Sequence, residues 1–296
     1  MTGRRHEDGF VLIAVLWMLA ALSALASAYA VYAVQTAPSA ALPQERLRAE
    51  AALRAGVELC AFRQLAWPKP ERPDAGAFSA EVGNSRIDVV YRSESARVDL
   101  NAAPHDVIAG LFQQLGATSA NAGFLADRVV AWRGRLKESD RRKEAAIYAK
   151  AGLSYGPLGA PFDNALDIAL LPGMTPALAA QALRFVTVFG AAKIDPLIAD
   201  PTVLAALPGM TPQIANNFVR ARNGPRPDAA ALGQMAGSLK DLVSVDPSDY
   251  VRAEIVASLN GRRLRAEVVL KLTERSPSPY EVLFWRDDFD GEGTGG

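Results

Sequence analysis

Few residues in this chain are placed to do chemistry. Gly152-Leu153-Ser154-Tyr155-Gly156 fits the G-x-S-x-G pattern of a nucleophile elbow, in which a sharp strand-to-helix turn presents a serine hydroxyl to a histidine base. The 296 residues include only two histidines, His6 and His105, and both precede Ser154, whereas the base of an elbow follows its serine. No parallel-strand pattern leads into Ser154 either. The stretch therefore reads as a loop with turn glycines, and no catalytic residue is assigned. Two histidines and one cysteine, Cys60, cannot build a zinc site, so any metal would be a hard cation held by oxygens. Cys60 has no disulfide partner in its own chain and no neighbouring His or Lys to lower its pKa, so it reads as a small packing residue.

The other candidate is a repeat. LPGMTP occurs at Leu171–Pro176 and again at Leu207–Pro212, each time ahead of an apolar helical pattern. Pro-Gly makes a tight turn, Thr175 and Thr211 are natural N-caps, and Pro176 and Pro212 suit the first helical position. The repeat resembles helix-hairpin-helix motifs, whose DNA-binding members hold a phosphate at a Gly-rich turn and helix N-terminus. Those members carry a second glycine where this chain has Thr175 and Thr211. Between Ala160 and Lys240 six cations face five acids, and only Arg220, Arg222 and Arg226 cluster, too few for strong counterion release. Both copies read as structural or protein-docking hairpins.

Composition limits what must position these residues. Half the chain is hydrophobic and 22% is charged, which excludes a disordered chain, and 32 Lys+Arg against 32 Asp+Glu excludes a nucleic-acid coat. The length allows one large or two modest domains. From Phe10 to Val34 the sequence carries no charge and spans a bilayer core as a helix. Arg4 and Arg5 precede it, and no cation follows before Gln44, so the N-terminus is expected in the cytoplasm and the bulk of the chain across the membrane; Glu7 and Asp8 count little in that rule.

Leu42–Leu65 has the apolar spacing of a helix continuing the membrane segment, with a kink or break expected at Pro38 and Pro43. Trp67–Gly76 reads as a proline-rich linker. Alternation at Phe78, Ala80 and Val82, then at Ile87, Val89 and Tyr91, flanks Gly83-Asn84 and predicts a hairpin. Tyr250–Leu259 and Arg262–Thr273 flank Asn260-Gly261, which predicts a second, and Tyr280–Trp285 a last strand before an acidic, Gly-rich tail. Between the hairpins the pattern is helical. Asn101 is placed to begin a turn there and Pro104 to occupy a first helical position.

Three stretches carry a family resemblance. A leader ending in Gly9, followed at once by Phe10 and an apolar helix, resembles the type III signal of type IV pilins and pseudopilins. The resemblance implies that a prepilin peptidase cuts between Gly9 and Phe10 and methylates the new N-terminus. The family places Glu at the fifth mature position, where this chain has Ala14; the K-type minor pseudopilins of type II secretion systems characteristically lack that glutamate, as a first subunit with nothing ahead of it can. Val15–Ala20 (VLWMLA) and Ala96–Gly116, with Leu100-Asn101, also resemble that family.

The resemblance implies an α+β fold: a pilin-like N-terminal membrane helix packed on a small antiparallel sheet, with a large all-helical domain, holding both hairpin repeats, inserted. The corresponding boundaries are 1–9 leader, 10–66 membrane helix and its periplasmic continuation, 67–100 first part of the sheet, 101–245 helical insert, 246–286 second part, and 287–296 disordered tail. It further implies a non-enzymatic inner-membrane protein that caps the pseudopilus tip and nucleates its assembly. Its partners would be the I-type and J-type minor pseudopilins, other pseudopilins, the prepilin peptidase and secreted proteins. Some K-type members bind calcium through an acidic stretch after a Trp-Arg pair. Here Trp132-Arg133 is followed by Gly134, Arg135 and Leu136, and seven cations outnumber four acids between Asp127 and Glu144, so the ligands are expected to be lost and no cofactor bound. The competing reading is a membrane-anchored helix-hairpin-helix DNA-binding protein of a DNA-uptake or type IV pilus system.

Overall fold

The computed structural model describes residues 7–190, 192–222, 224, 227–259, 262–273 and 278–287. Helix α1 (Glu7–Leu65) runs without interruption. No break occurs at Pro38 or Pro43: each proline removes one i→i−4 hydrogen bond, and the bonds of the flanking turns carry the helix across. In its second half Ala49, Leu53, Val57, Cys60 and Gln64 recur at three- and four-residue spacing and are buried against a sheet. Gly56 lies on that face, where a Cβ would meet Ile255 Cγ2 at 2.5 Å, so the missing side chain lets the helix approach the strands.

Among the described residues seven strands follow in chain order: β1 (Ala75–Val82), β2 (Ser85–Ser93), β3 (Val98–Asp99), β4 (Val186–Thr187), β5 (Tyr250–Leu259), β6 (Arg262–Leu272) and β7 (Tyr280–Asp287). The first two and last three form one antiparallel sheet in the order β1-β2-β5-β6-β7. The β1–β2 turn uses Gly83 at φ 59°, a left-handed conformation that glycine adopts without strain. Asn260 and Gly261 lie outside the described residues, but Leu259 pairs with Arg262 across them, the register of a two-residue hairpin. Residues 288–296 also lie outside the described residues, and β7 continues two residues beyond the predicted Trp285.

The expected linker at Trp67–Gly76 proves to be anchored. Lys69–Glu71 form a single 3-10 turn, and β1 has already begun at Ala75. The Lys69 ammonium reaches Asp249 at 2.6 Å, and the buried Arg72 donates to the Gln64 carbonyl at 3.2 Å, tying the end of α1 to the approach to β5.

Between β2 and β5 lie α2 (His105–Gln114), α3 (Ser119–Arg133), α4 (Glu138–Lys150), α5 (Pro176–Ala182), α6 (Pro201–Ala205), α7 (Pro212–Ala221) and α8 (Ala229–Ala236). They share a core of their own, built on residues such as Leu100, Leu111, Phe112, Leu125, Ile168 and Phe218, separate from the core between α1 and the sheet. The helical pattern does not announce one feature: β3 and β4 pair in parallel, Val98 with Val186 and Asp99 with Thr187. Two details at the entry to this region correct the sequence reading. The turn begins at Asp99, whose carboxylate accepts from Asn101 N at 2.7 Å and whose carbonyl accepts from Ala103 N at 2.8 Å. Pro104 is the N-cap of α2, and His105 is its first residue.

Candidate functional site

Among the described residues one helical stretch, Leu12–Val31, is long and apolar enough to cross a membrane, and none of it is buried against the rest of the protein. Uncovered apolar side chains on that scale need lipid or other helices around them. Gly9 and Phe10 lie in the first turns of α1, with side chains outside the described residues; Ala14 is exposed on the apolar stretch.

The two LPGMTP copies have the same geometry. Gly173 and Gly209 sit at φ 81° and 88°, Thr175 and Thr211 each accept from the backbone N–H three residues on at 3.2 Å, and Pro176 and Pro212 open α5 and α7. Leu171 and Leu207 are buried, so each copy is a turn held by its first residue and stopped by its cap. The cations do not gather into a phosphate cradle. Arg222 turns inward, donating to the carbonyls of Pro196 at 3.1 Å and Ala199 at 2.5 Å; Arg220 bonds Asn217 at 2.7 Å; Arg226 lies outside the described residues.

Two stretches singled out separately in the sequence meet around Phe162. Leu100 is fully buried, while the Asn101 amide accepts from Phe162 N at 2.7 Å and donates to the Phe162 carbonyl at 3.0 Å and the Val188 carbonyl at 3.4 Å. Trp132 stacks on the Phe162 ring, with centroids 5.5 Å apart. Arg133 donates to the carbonyls of Leu100 at 2.6 Å and Ala103 at 2.8 Å. The Leu-Asn and Trp-Arg pairs thus form one structural lock on the entry to the insert. The stretch after Trp132 becomes a short loop and the first turns of α4, where Glu138 pairs with Arg141 and Arg142 and Asp140 with Lys143. Among the described residues no three His, Cys, Asp or Glu side chains cluster as a metal site.

A second lock was not foreseen. Glu94, fully buried, accepts from Arg252 Nε at 2.7 Å and Nη2 at 3.0 Å and from the Thr187 hydroxyl, and Arg97 approaches at 4.0 Å. Arg252 also bonds Glu267 at 2.7 Å, and Glu267 holds Arg286. The network joins the end of β2, the β4 strand of the insert, and β5, β6 and β7. Burial alone would lower the Arg252 pKa, but the bonds to Glu94 and Glu267 outweigh it and hold it above the ordinary value. For Glu267, likewise, burial acts to raise the pKa and Arg252 overrides it, holding the carboxyl below its usual range. Arg97, in contrast, is pushed down by burial, with the Arg252 charge adding to the effect. No local pattern could reveal this network, because Glu94 and Arg252 are 158 residues apart.

The remaining sequence candidates are ordinary. Ser154 is exposed in the loop after α4, Gly152 taking φ 78°, and Tyr155 in that loop donates to the Leu170 carbonyl at 3.1 Å. The Cys60 thiol is buried against the sheet, which pushes its pKa up to about 12, and the thiolate needed for reactivity does not form. His105 lies 2.9 Å from Asp106 and 3.3 Å from Asp127 of α3. The bond to Asp106, then the Asp127 charge, raise its pKa above 6.5. A raised folded-state pKa gives stability that is complete below the unfolded value near 6.5 and is lost as pH rises through the folded value. An NMR titration should therefore find His105 protonated above pH 6.5, and Asp127→Asn should bring its midpoint down; an unmoved midpoint would show that the α2–α3 charge contact is not formed.

Residues 87–191, which hold most of β2, both Phe162-centred pairs, α5 and β4, match the family model described as "Type II secretion system (T2SS), protein K". That match spans 105 of the 296 residues and makes this part of the chain similar to the K-type minor pseudopilins of type II secretion. No curated protein matches its sequence. Its fold is shared with a chain of the crystal structure of the GspK-GspI-GspJ complex from the enterotoxigenic Escherichia coli Type 2 Secretion System, with a TM-score of 0.59 at 16% identity, over 87% of this chain and 99% of that one. The match and the shared fold support a minor pseudopilus component with a structural role, and the N-terminal apolar helix fits a single-pass membrane anchor. The α+β fold read from the sequence, helix on antiparallel sheet with a helical insert, is the fold observed. The first lock closes the entry to the insert, and the second ties the insert to β5, where the chain rejoins the sheet.

Proposed function

We propose that this chain caps the tip of the type II secretion pseudopilus and nucleates its assembly with I-type and J-type minor pseudopilins, as a non-enzymatic part of the machinery that exports proteins across the outer membrane. The anchor carries this reading. Its exposed apolar stretch holds no carboxylate, and Ala14 stands where a subunit inside the filament would need one to neutralise the terminal amine of the subunit ahead. A first subunit has no such amine to meet. The solved GspK-GspI-GspJ complex, a chain of which shares this fold, supports the choice of partners. The helix lies in the inner membrane with its N-terminus cytoplasmic, prepilin peptidase cuts between Gly9 and Phe10 and methylates Phe10, and the insert projects toward secreted proteins or the outer-membrane channel. No metal or cofactor enters this role. The inward-turned Arg222 and the near-neutral repeats favour protein docking over nucleic acid.

The test is N-terminal sequencing of the full chain after co-expression with a prepilin peptidase. The expected mature chain begins at N-methylated Phe10. An uncut Met1, or a cut at any other bond, would remove the chain from the processed pilins, and salt-sensitive micromolar binding of duplex DNA would transfer the repeats to the DNA-uptake reading.

A further inference from the structure

Helix α4 docks in an unexpected way. Of its thirteen residues only Glu144 and Tyr148 are buried, so two polar side chains replace the usual apolar stripe. They lie one turn apart, as do Arg128 and Trp132 on α3, and Glu144 Oε1 accepts from Arg128 Nη2 at 2.7 Å. All four residues are more than nine-tenths buried. Each carries one atom that no other group among the described residues satisfies: Arg128 Nε, Trp132 Nε1, Glu144 Oε2 and Tyr148 Oη. The Tyr148 hydroxyl is within electrostatic reach of both Glu144 and Arg128. Aromatic rings wall the cluster, with Phe124 4.7 Å from the Arg128 guanidinium, Phe162 stacked on Trp132, and Tyr155 edge-on to Tyr148 at 5.8 Å.

Buried polar atoms in folded proteins are nearly always hydrogen-bonded, and four exceptions, two on each of two helices bridged by Arg128 and Glu144, call for partners. The donor set selects its chemistry. Three groups offer N–H or O–H and one offers a carboxylate oxygen. A metal cation would find a single free carboxylate oxygen and the repelling guanidinium of Arg128; an anion would meet Glu144. The Arg128–Glu144 pair is neutral in sum, so the fitting ligand is a small neutral molecule that accepts and donates at once. We propose that the α3–α4 interface is a built internal-hydration site, in which enclosed water accepts hydrogen bonds from Arg128 Nε, Trp132 Nε1 and Tyr148 Oη and donates to Glu144 Oε2. Water of this kind is part of the structure, and here it is what seats α4 on the insert.

Two measurements on the full chain test this. An experimental structure that resolves solvent should show water within hydrogen-bond distance of both Tyr148 Oη and Glu144 Oε2. Tyr148→Phe, which removes only the hydroxyl, should shift the unfolding equilibrium about fivefold toward the unfolded state, because the hydroxyl has a partner to lose. A dry interface overturns the inference. So does a Tyr148→Phe chain as stable as the parent or more so, the result expected of a hydroxyl that truly has no partner.

Discussion

Glu94→Gln is expected to destabilise the protein by about 3 to 5 kcal/mol, although it hardly changes side-chain size. The change removes one negative charge from a site where the largely enclosed Arg252 and Arg97 both face it, and leaves Glu267 as the remaining carboxylate on Arg252. The cost lies less in the bond than in the excess positive charge left behind, so the double variant Glu94→Leu/Arg252→Met should be less destabilised than the single one. Urea unfolding followed by tryptophan fluorescence checks this, since Trp132 reports the insert and Trp285 the sheet. A single-variant loss within about 0.5 kcal/mol, as for surface substitutions, would mean that the network does not hold the two parts together. Acid should act on the same point. With its folded-state pKa depressed, Glu267 contributes stability that is complete above its ordinary value of 4.5 and is lost as pH falls through the folded value.

Gly110→Ala should cost about 3 kcal/mol, although alanine is the better helix former. A Cβ at Gly110 would lie 2.0 Å from the Ala206 carbonyl oxygen, and backbone cannot yield as a side-chain tip can. The methyl group would push α2 away from the end of α6, next to the second Leu-Pro-Gly turn. Gly123→Ala is the control. Gly123 is inside α3, a Cβ there would meet nothing within 4 Å, and the same substitution should stabilise by about 0.5 to 1 kcal/mol. Thermal unfolding of the two variants should move in opposite directions. If both rise, the α2–α6 approach is looser than described.

These two positions show where sequence reading stops. Elements with a local signature were legible: the apolar anchor from its length, the hairpin turns from Gly83-Asn84 and Asn260-Gly261, both repeat turns from Pro-Gly followed by a capping threonine. Leu100-Asn101 and Trp132-Arg133 were recognised as stretches, but their meeting at Phe162 depends on a chain segment some 60 residues beyond Asn101, and no period encodes that. Pro38 and Pro43 misled because a helix long enough on both sides absorbs a missing bond. Trp67–Gly76 misled because its prolines look like a linker while Arg72 and Lys69 hold it to partners far along the chain. Glu94, Thr187 and Arg252 were invisible for the same reason, and Gly110 showed nothing in sequence, since its role is to lack atoms where another helix ends.

The pairing of β2 with β5, eight residue pairs from Arg86–Ser258 to Ser93–Val251, also has a consequence for how the chain folds. Synthesis proceeds from the N-terminus, so the β1–β2 hairpin exists with the inner edge of β2 bare until the whole insert and β5 have followed. Closing a gap of that length is slow if the intervening chain is loose and fast if it is already compact, because a folded insert holds its own two ends together. The insert thus acts as a folding template for the sheet, and its delayed folding would leave a hydrophobic strand edge open to the wrong neighbour.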